Sequence, residues 1–398
     1  SAGIREKANK DIGAGSGHKN SYVVIDGETY IIEAGYNEQA PRLYSLKKVE
    51  QPFIYEENGD GTLKITLYEG YYEDVRIPDR IDGKAVSELG EEAFSYHREI
   101  KKIVMPDSIK MLGKAVFYEC SGLKKVMFSK NVHVIPEKAF SHTNIDKIKI
   151  PENIEELQCD SFSKVKHYDG SNGSFGYLGG VDVIEIPKSV KKINLRLTET
   201  VVLYHGTKNE WKKLSSSPGK IFYTNKGIAL SKSSMNMKQG KSGKLEAYCV
   251  DDAFRWTSSN RNVVTVSGGK LKAVGAGIST ITVSRPDKKS VSCTIRVNPE
   301  KQVLKSLKMK RGRKLIVKWK KNRTATGYQI QYSPDRKFRK SVKTVSISNK
   351  GRDSGNVSGL KKGKKYYVRV RSYKNISMKG KAEKLYGEWS NAKRSGSI

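Results

Sequence analysis

Residues 100–140 read IKKIVMPDSIKMLGKAVFYECSGLKKVMFSKNVHVIPEKAF. Within them, Ile100, Ile103 and Met105 precede Pro106, and Leu123, Val126 and Phe128 precede Ser129. Three residues after that Pro or Ser comes an aliphatic, Ile109 or Val132, and Phe117 and Phe140 close the two turns. Apolar side chains with variable residues between them predict a short strand whose apolar positions point inward and whose variable positions point outward. The same frame extends back to Tyr72, Val75 and Ile77 before Pro78, with Ile81 and Phe94. It extends forward to Ile145, Ile148 and Ile150 before Pro151, with Ile154 and Phe162, and then to Val181, Ile184 and Ile186 before Pro187, with Val190. From Phe94 to Phe162 the phenylalanines are 23, 23 and 22 residues apart. One such period cannot bury its own apolar face, so the pattern predicts stacked solenoid coils.

Leu89-Gly90 with Ala93-Phe94, Leu112-Gly113 with Val116-Phe117, and Ala139-Phe140 resemble the BspA-type leucine-rich repeats of bacterial surface proteins. Gly61-Thr62-Leu63-Lys64-Ile65-Thr66 and the segment Tyr204-His205-Gly206-Thr207 to Glu210-Trp211 resemble that family's terminal caps. The resemblance covers residues 52–225, with two departures. Leu157-Gln158-Cys159 lacks the glycine, and Ile145 to Val181 is a step of 36 residues, which marks 163–180 as an insertion. For some members the resemblance implies attachment to host matrix proteins or to other cells.

Beyond the repeats, short alternating strands are expected around Leu245/Ala247/Cys249, Val263/Val264/Val266, Ile278/Thr280/Ile281/Val283 and Val291/Cys293/Ile295/Val297. Trp256-Thr257-Ser258-Ser259-Asn260, Val264-Thr265-Val266 and Val274-Gly275-Ala276-Gly277 resemble a bacterial immunoglobulin-like group 2 domain. In that reading Trp256 fills the core and the glycines allow a tight turn. Cys249 and Cys293 share the inward phase, either as a disulfide in an oxidising compartment or as two buried thiols. Leu315/Val317/Trp319, Gly327-Tyr328/Ile330/Tyr332, Leu360-x-x-Gly363-x-x-Tyr366, Tyr367/Arg369/Arg371 and Gly387-Glu388-Trp389-Ser390 resemble a fibronectin type III domain. Alternation gives its strands one apolar and one charged face, and Tyr366 suits a tyrosine corner. Near the start, Asp26-Gly27 between Val23/Ile25 and Tyr30/Ile32 signals a hairpin.

The expected architecture is therefore multidomain and mainly β: a linker and hairpin over 1–51, a short leucine-rich-repeat solenoid over 52–225, an Ig-like β-sandwich over 226–300 and a fibronectin type III β-sandwich over 301–398. Residues 1–51 hold 7 basic and 7 acidic side chains and 52–225 hold 25 of each. Residues 226–300 hold 13 and 5, and 301–398 hold 30 and 4, so the net charge of +34 resides in the sandwiches. A domain this basic attracts polyanions at low ionic strength, and an anionic cell-wall polymer is its expected partner. The alternative is a solvated face that keeps strands from pairing edge to edge. Nucleic acid is not an expected partner, because the aromatics lie at core phases and no recognition module is present.

Stacking the coils aligns their variable positions in three columns: Glu73, Lys101, Lys124, Asp146, Asp182; Asp74, Lys102, Lys125, Lys147, Val183; and Arg76, Val104, Met127, Lys149, Glu185. Lys101, Lys102, Lys124, Lys125, Lys147 and Lys149 thus form a candidate basic patch for a host matrix or surface protein or an acidic glycan, bordered by acids at both ends. Ordinary solvated lysine is the competing reading. Tyr168, Phe175 and Tyr177 in the glycine-rich insertion are a second candidate, since long loops on rigid scaffolds often bind.

No run of apolar residues is long enough to span a membrane, and no apolar leader core follows Ser1-Ala2-Gly3. No C-x-x-C, H-E-x-x-H, Gly-x-Ser-x-Gly or phosphate-binding loop occurs, so neither catalysis nor a metal or other cofactor is expected. The functional expectation is an extracellular protein, secreted or on the bacterial surface, that binds a ligand or mediates adhesion. A structural wall protein and an accessory module of a surface enzyme are the alternatives.

Overall fold

The computed structural model of the chain describes residues 21–25, 28–34, 44–48, 51–165, 178–179 and 181–397, without 198, 218, 252 and 379. Two compact units form, Ser1–Gly227 and Ile228–Ile398.

In the first unit, short parallel strands wind as the repeat period predicts. Asp74–Arg76, Lys102–Val104 and Lys125–Met127 pair in register, and Lys147–Lys149, Val183–Ile186, Val201–Tyr204 and Lys220–Tyr223 continue the stack as a second sheet. Among the described residues no ladder joins 125–127 to 147–149; the Asn144 amide donates to Leu123 O at 3.0 Å across that step. The strand at 147–149 pairs directly with 183–186, so the stack continues past the insertion. The insertion's edges, Lys164–Val165 and Leu178–Gly179, pair antiparallel. The opposite side of the coils carries a thinner set of parallel pairings, Lys84–Leu89 with Met111–Leu112, and Val134–Ile135 with Glu156–Leu157 and Lys192–Ile193.

The core of this unit is an aromatic column. Phe94, Phe117 and Phe140 are fully buried and Phe162 nearly so, with successive ring centroids 5.2, 5.3 and 5.4 Å apart. Tyr68, from the hairpin of Phe53–Glu57 and Leu63–Tyr68, stacks on Phe94 at 5.0 Å and caps the column. Backbone bonds knit the same turns, with Phe94 N to Val116 O, Phe117 N to Ala139 O and Phe140 N to Ser161 O at 2.8–2.9 Å. Gly113 and Gly122 sit where coils touch. A Cβ on Gly113 would lie 2.3 Å from Glu91 N, and one on Gly122 would lie 2.2 Å from Arg98 O. The helix Lys208–Leu214 ends the unit, capped by Thr207 and Glu210, and buries Trp211 against Tyr204 at 5.1 Å.

Ahead of the repeats, Ser21–Ile25, Glu28–Ala34 and Tyr44–Lys48 make an antiparallel meander, one strand more than the expected hairpin.

The second unit holds two sandwiches. In the first, the sheet order is Ser234–Lys238, Ser290–Asn298, Gly277–Ser284, Arg255–Ser258, against Ser242–Lys244, Lys270–Ala273 and Val264–Ser267. Trp256 is half-buried and packs against the core rather than filling it, on the edge strand of that sheet. Cys249 and Cys293 are both buried, as the shared inward phase of their strands predicts. The second sandwich packs Leu304–Lys310, Lys314–Trp319 and Ser354–Val357 against Lys343–Ile347, Gly327–Ser333, Tyr367–Met378 and Lys381–Tyr386. Trp319 is at its centre, and the Lys361 amide donates to the Tyr366 hydroxyl at 3.2 Å, which forms the tyrosine corner.

Candidate ligand-binding face

The strand ladders place the lysines. Lys102 and Lys125 are register partners, as are Val104 and Met127, so a basic column and an apolar column lie side by side on one face at about 4.8 Å per strand. Lys101 and Lys124 enter the same strands one residue earlier, where the Lys124 amide donates to Lys101 O at 3.0 Å. Lys147 and Lys149 stand across the ladder break, at the start of the second sheet.

Ion pairing divides the six. Lys101 meets Glu73 at 2.6 Å, Lys102 meets Asp74 at 3.7 Å and Lys149 meets Glu185 at 3.8 Å. Lys124 and Lys125 are exposed and have no carboxylate partner among the described residues. Met127 is 49% exposed, a large apolar side chain open to water beside them. The surface pairs of Lys101 and Lys102 hold little energy, about 0–1 kcal/mol each, so a ligand could displace them.

The far border differs from the expected column of outward residues. Val183 and Glu185 are buried, and the Glu185 carboxylate accepts from His205 Nε2 at 3.0 Å. The carboxylate is therefore covered by its own coil stack and does not form an exposed acidic rim. Tyr168, Phe175 and Tyr177 lie outside the described residues.

Several other ionisable groups of the repeat unit are engaged in contacts within the coils. His97 bridges Glu99 at 2.7 Å and Tyr68 O at 2.7 Å, and its counterpart one coil on, Cys120, donates to Phe94 O at 2.9 Å. His142 pairs with Glu119 at 2.7 Å, and His133 contacts Asn153 O at 2.9 Å. Glu155 and Glu156 pair with Lys191 and Lys192, each at 2.8 Å, and those lysines hold both carboxyls below their ordinary range. A general acid needs the opposite shift. No group of three or more His, Cys, Asp or Glu suited to a metal ion occurs among the described residues.

Sequence reasoning missed one feature of this unit. Non-glycine residues in the left-handed region recur in two series with the coil period, Glu92, Ala115, Lys138 and Asp160 at φ 52–55° and Tyr96, Glu119 and His142 at φ 58–64°. Only the period could have signalled them, since their side chains share no chemistry.

Comparison with known proteins finds three domain types along the chain. Residues 72–168 match the BspA type leucine rich repeat region in six copies, 225–295 match the bacterial Ig-like domain (group 2), and 305–388 match the fibronectin type III domain. A 96-residue stretch is 29% identical to Lacto-N-biosidase of Bifidobacterium bifidum, covering 23% of this chain and 9% of that protein. Among solved structures, a leucine rich cell surface protein from Faecalibacterium prausnitzii is 21% identical with a TM-score of 0.32, over 50% of this chain and 43% of that one. A leucine-rich repeat protein from Bacteroides capillosus is 22% identical with a TM-score of 0.26, over 36% of this chain and 94% of that one. The chain thus spans less than half the length of the Faecalibacterium structure and under a tenth of the glycosidase.

Proposed function

We propose that this chain, which joins a BspA-type leucine-rich repeat region to a bacterial Ig-like domain and a fibronectin type III domain, acts outside the cell as an adhesion or ligand-binding protein. The three domain types are those of non-catalytic surface proteins. In this reading residues 52–225 present the binding face, and 226–300 and 301–398 are spacers that hold it away from the surface. The supporting observation is the paired column of Lys102 and Lys125 beside Val104 and Met127, with Lys124 and Lys125 lacking counter-ions among the described residues. Cations flanking an open methionine suit an acidic polypeptide of a host matrix or surface protein, which can cover both columns, better than a fully hydrated acidic glycan.

The test is a panel of matrix proteins and glycans against the full chain and its Lys102→Glu/Lys125→Glu/Lys147→Glu variant. Binding of an acidic protein that the variant loses supports the reading. Binding that survives the three reversals refutes it. The likeness to Lacto-N-biosidase favours one second reading, an accessory module of a glycan-active surface enzyme. There the panel returns neutral glycans, and the triple variant binds them unchanged.

A further inference from the structure

In the C-terminal sandwich three of the four acids are already engaged, and the fourth, Asp353, is exposed. Asp335 accepts from the amides of Lys337, Arg339 and Lys340 at 3.0, 2.7 and 3.3 Å. Glu383 pairs with Arg296 at 2.7 Å, and Glu388 pairs with Lys238, both partners belonging to the neighbouring sandwich. Against them stand 30 basic side chains over 301–398.

Two of those cations are held in an unusual way. Gln329 is in register with Arg371 and Gln331 with Arg369 on one face of the four-stranded sheet. Gln331 Oε1 accepts from Nε and Nη2 of Arg369 at 2.8 and 2.5 Å, and Gln329 Oε1 accepts from Arg371 at 2.9 and 2.7 Å. The Arg369 guanidinium lies over the rings of Phe338 and Trp389, 4.1 and 4.8 Å from their centroids. That of Arg371 lies over Trp389 and Tyr386 at 4.4 and 3.9 Å. Neither has a carboxylate partner among the described residues. Phe338 belongs to the loop 336–340, which adds Arg336, Lys337, Arg339 and Lys340 beside the stack.

The chemistry of this arrangement selects its ligand. A guanidinium stays charged at all physiological pH, and here its rotamer freedom is lost before any ligand arrives, so an anion meets a preorganised donor. The guanidinia already occupy ring faces of Phe338, Tyr386 and Trp389, which limits the platform for stacking a nucleobase.

We propose that this sheet face binds a linear polymer other than nucleic acid, carrying closely spaced sulfate or phosphate groups, with Arg369 and Arg371 as fixed donors and the loop 336–340 as a basic rim. The assignment is independent of the repeat-face reading and stands if that reading fails.

The experiment measures binding of the full chain to dextran sulfate, poly(glycerol phosphate), neutral dextran and a single-stranded oligonucleotide between about 50 and 200 mM salt. Three variants are compared: Arg336→Gln/Lys337→Gln/Arg339→Gln/Lys340→Gln at the rim, Arg369→Lys/Arg371→Lys in the stack, and Lys308→Gln/Lys310→Gln/Lys314→Gln/Lys318→Gln on the other sheet. The rim variant is expected to weaken sulfate or phosphate polymer binding at least about tenfold and to flatten the log–log salt slope by about 3. The stack variant keeps the charge but loses the fork, and is expected to weaken binding several-fold. The control variant, with the same charge removed, is expected to change little. Preference for dextran sulfate points to a sulfated glycan and preference for poly(glycerol phosphate) to a phosphate polymer; either supports the site. Equal losses in rim and control variants would mean diffuse attraction and overturn it, as would tighter binding of the oligonucleotide. If the stack variant fails to fold, the rim and control pair still decides.

Discussion

Replacing Phe117 by Ala removes the middle of the aromatic column. The side chain is fully buried, with ring neighbours on both sides at 5.2 and 5.3 Å. Truncating a buried phenylalanine costs about 3–5 kcal/mol. Two lost ring pairs, each about 0.5–1.5 kcal/mol, place this site at the upper end, about 4–5 kcal/mol. Phe162 is the internal control. It is 4% exposed and has one ring neighbour among the described residues, Phe140 at 5.4 Å, so Phe162→Ala should cost about 3 kcal/mol. Equilibrium urea unfolding of the full chain, read by hydrogen exchange of individual peptides, separates the repeat unit from the sandwiches. With a slope of about 2 kcal/mol/M, Phe117→Ala should lower the repeat midpoint by about 2 M and leave the sandwich peptides unmoved. A shift under about 0.5 M, or a larger shift for Phe162→Ala, would refute the claim that coils are held by mutual stacking.

Gly113→Ala should destabilise the repeat unit by about 3 kcal/mol, since its Cβ would meet the backbone of the preceding coil at 2.3 Å; thermal unfolding that leaves the repeat transition in place would contradict this. Thiol labelling of the native chain should modify Cys159 first, because Cys120, Cys249 and Cys293 are buried; burial pushes the Cys120 thiol up to about 12. Rapid native labelling of Cys120 would count against that packing. The Glu210 carboxyl is lowered from 4.5 to about 2 by its hydrogen bond to Lys188 and by the Thr207 amide and hydroxyl. A depressed carboxyl stabilises the fold above its unfolded value, so this contribution should be lost as pH falls from 4.5 towards 2, and Glu210→Gln should abolish that part of the pH dependence of exchange in 208–214.

The solenoid was legible because Phe94, Phe117, Phe140 and Phe162 repeat at one period, and stacking is the sole way such coils bury their apolar edges. The pairing of Lys102 with Lys125 followed from the same register, but the ladder does not run on to Lys147. Glu185 was misplaced for a physical reason: after the insertion the coils shorten, and His205 from the next turn covers the carboxylate. The strand position of Trp256 was legible, but its place at a sheet edge depends on pairings remote in sequence. The guanidinium stack was half visible. Tyr367, Arg369 and Arg371 alternate on one strand, yet Phe338 and Trp389 reach them from separate loops, and no local pattern joins residues so far apart.

The account turns on whether the strand face bearing Lys102 and Lys125 engages a ligand. Hydrogen exchange of the full chain, with and without the tightest-binding acidic protein of the panel, reads this directly. The account predicts added protection in peptides spanning 101–104, 124–127 and 147–149. Protection confined to the sandwiches, or absent under saturating ligand, would contradict it.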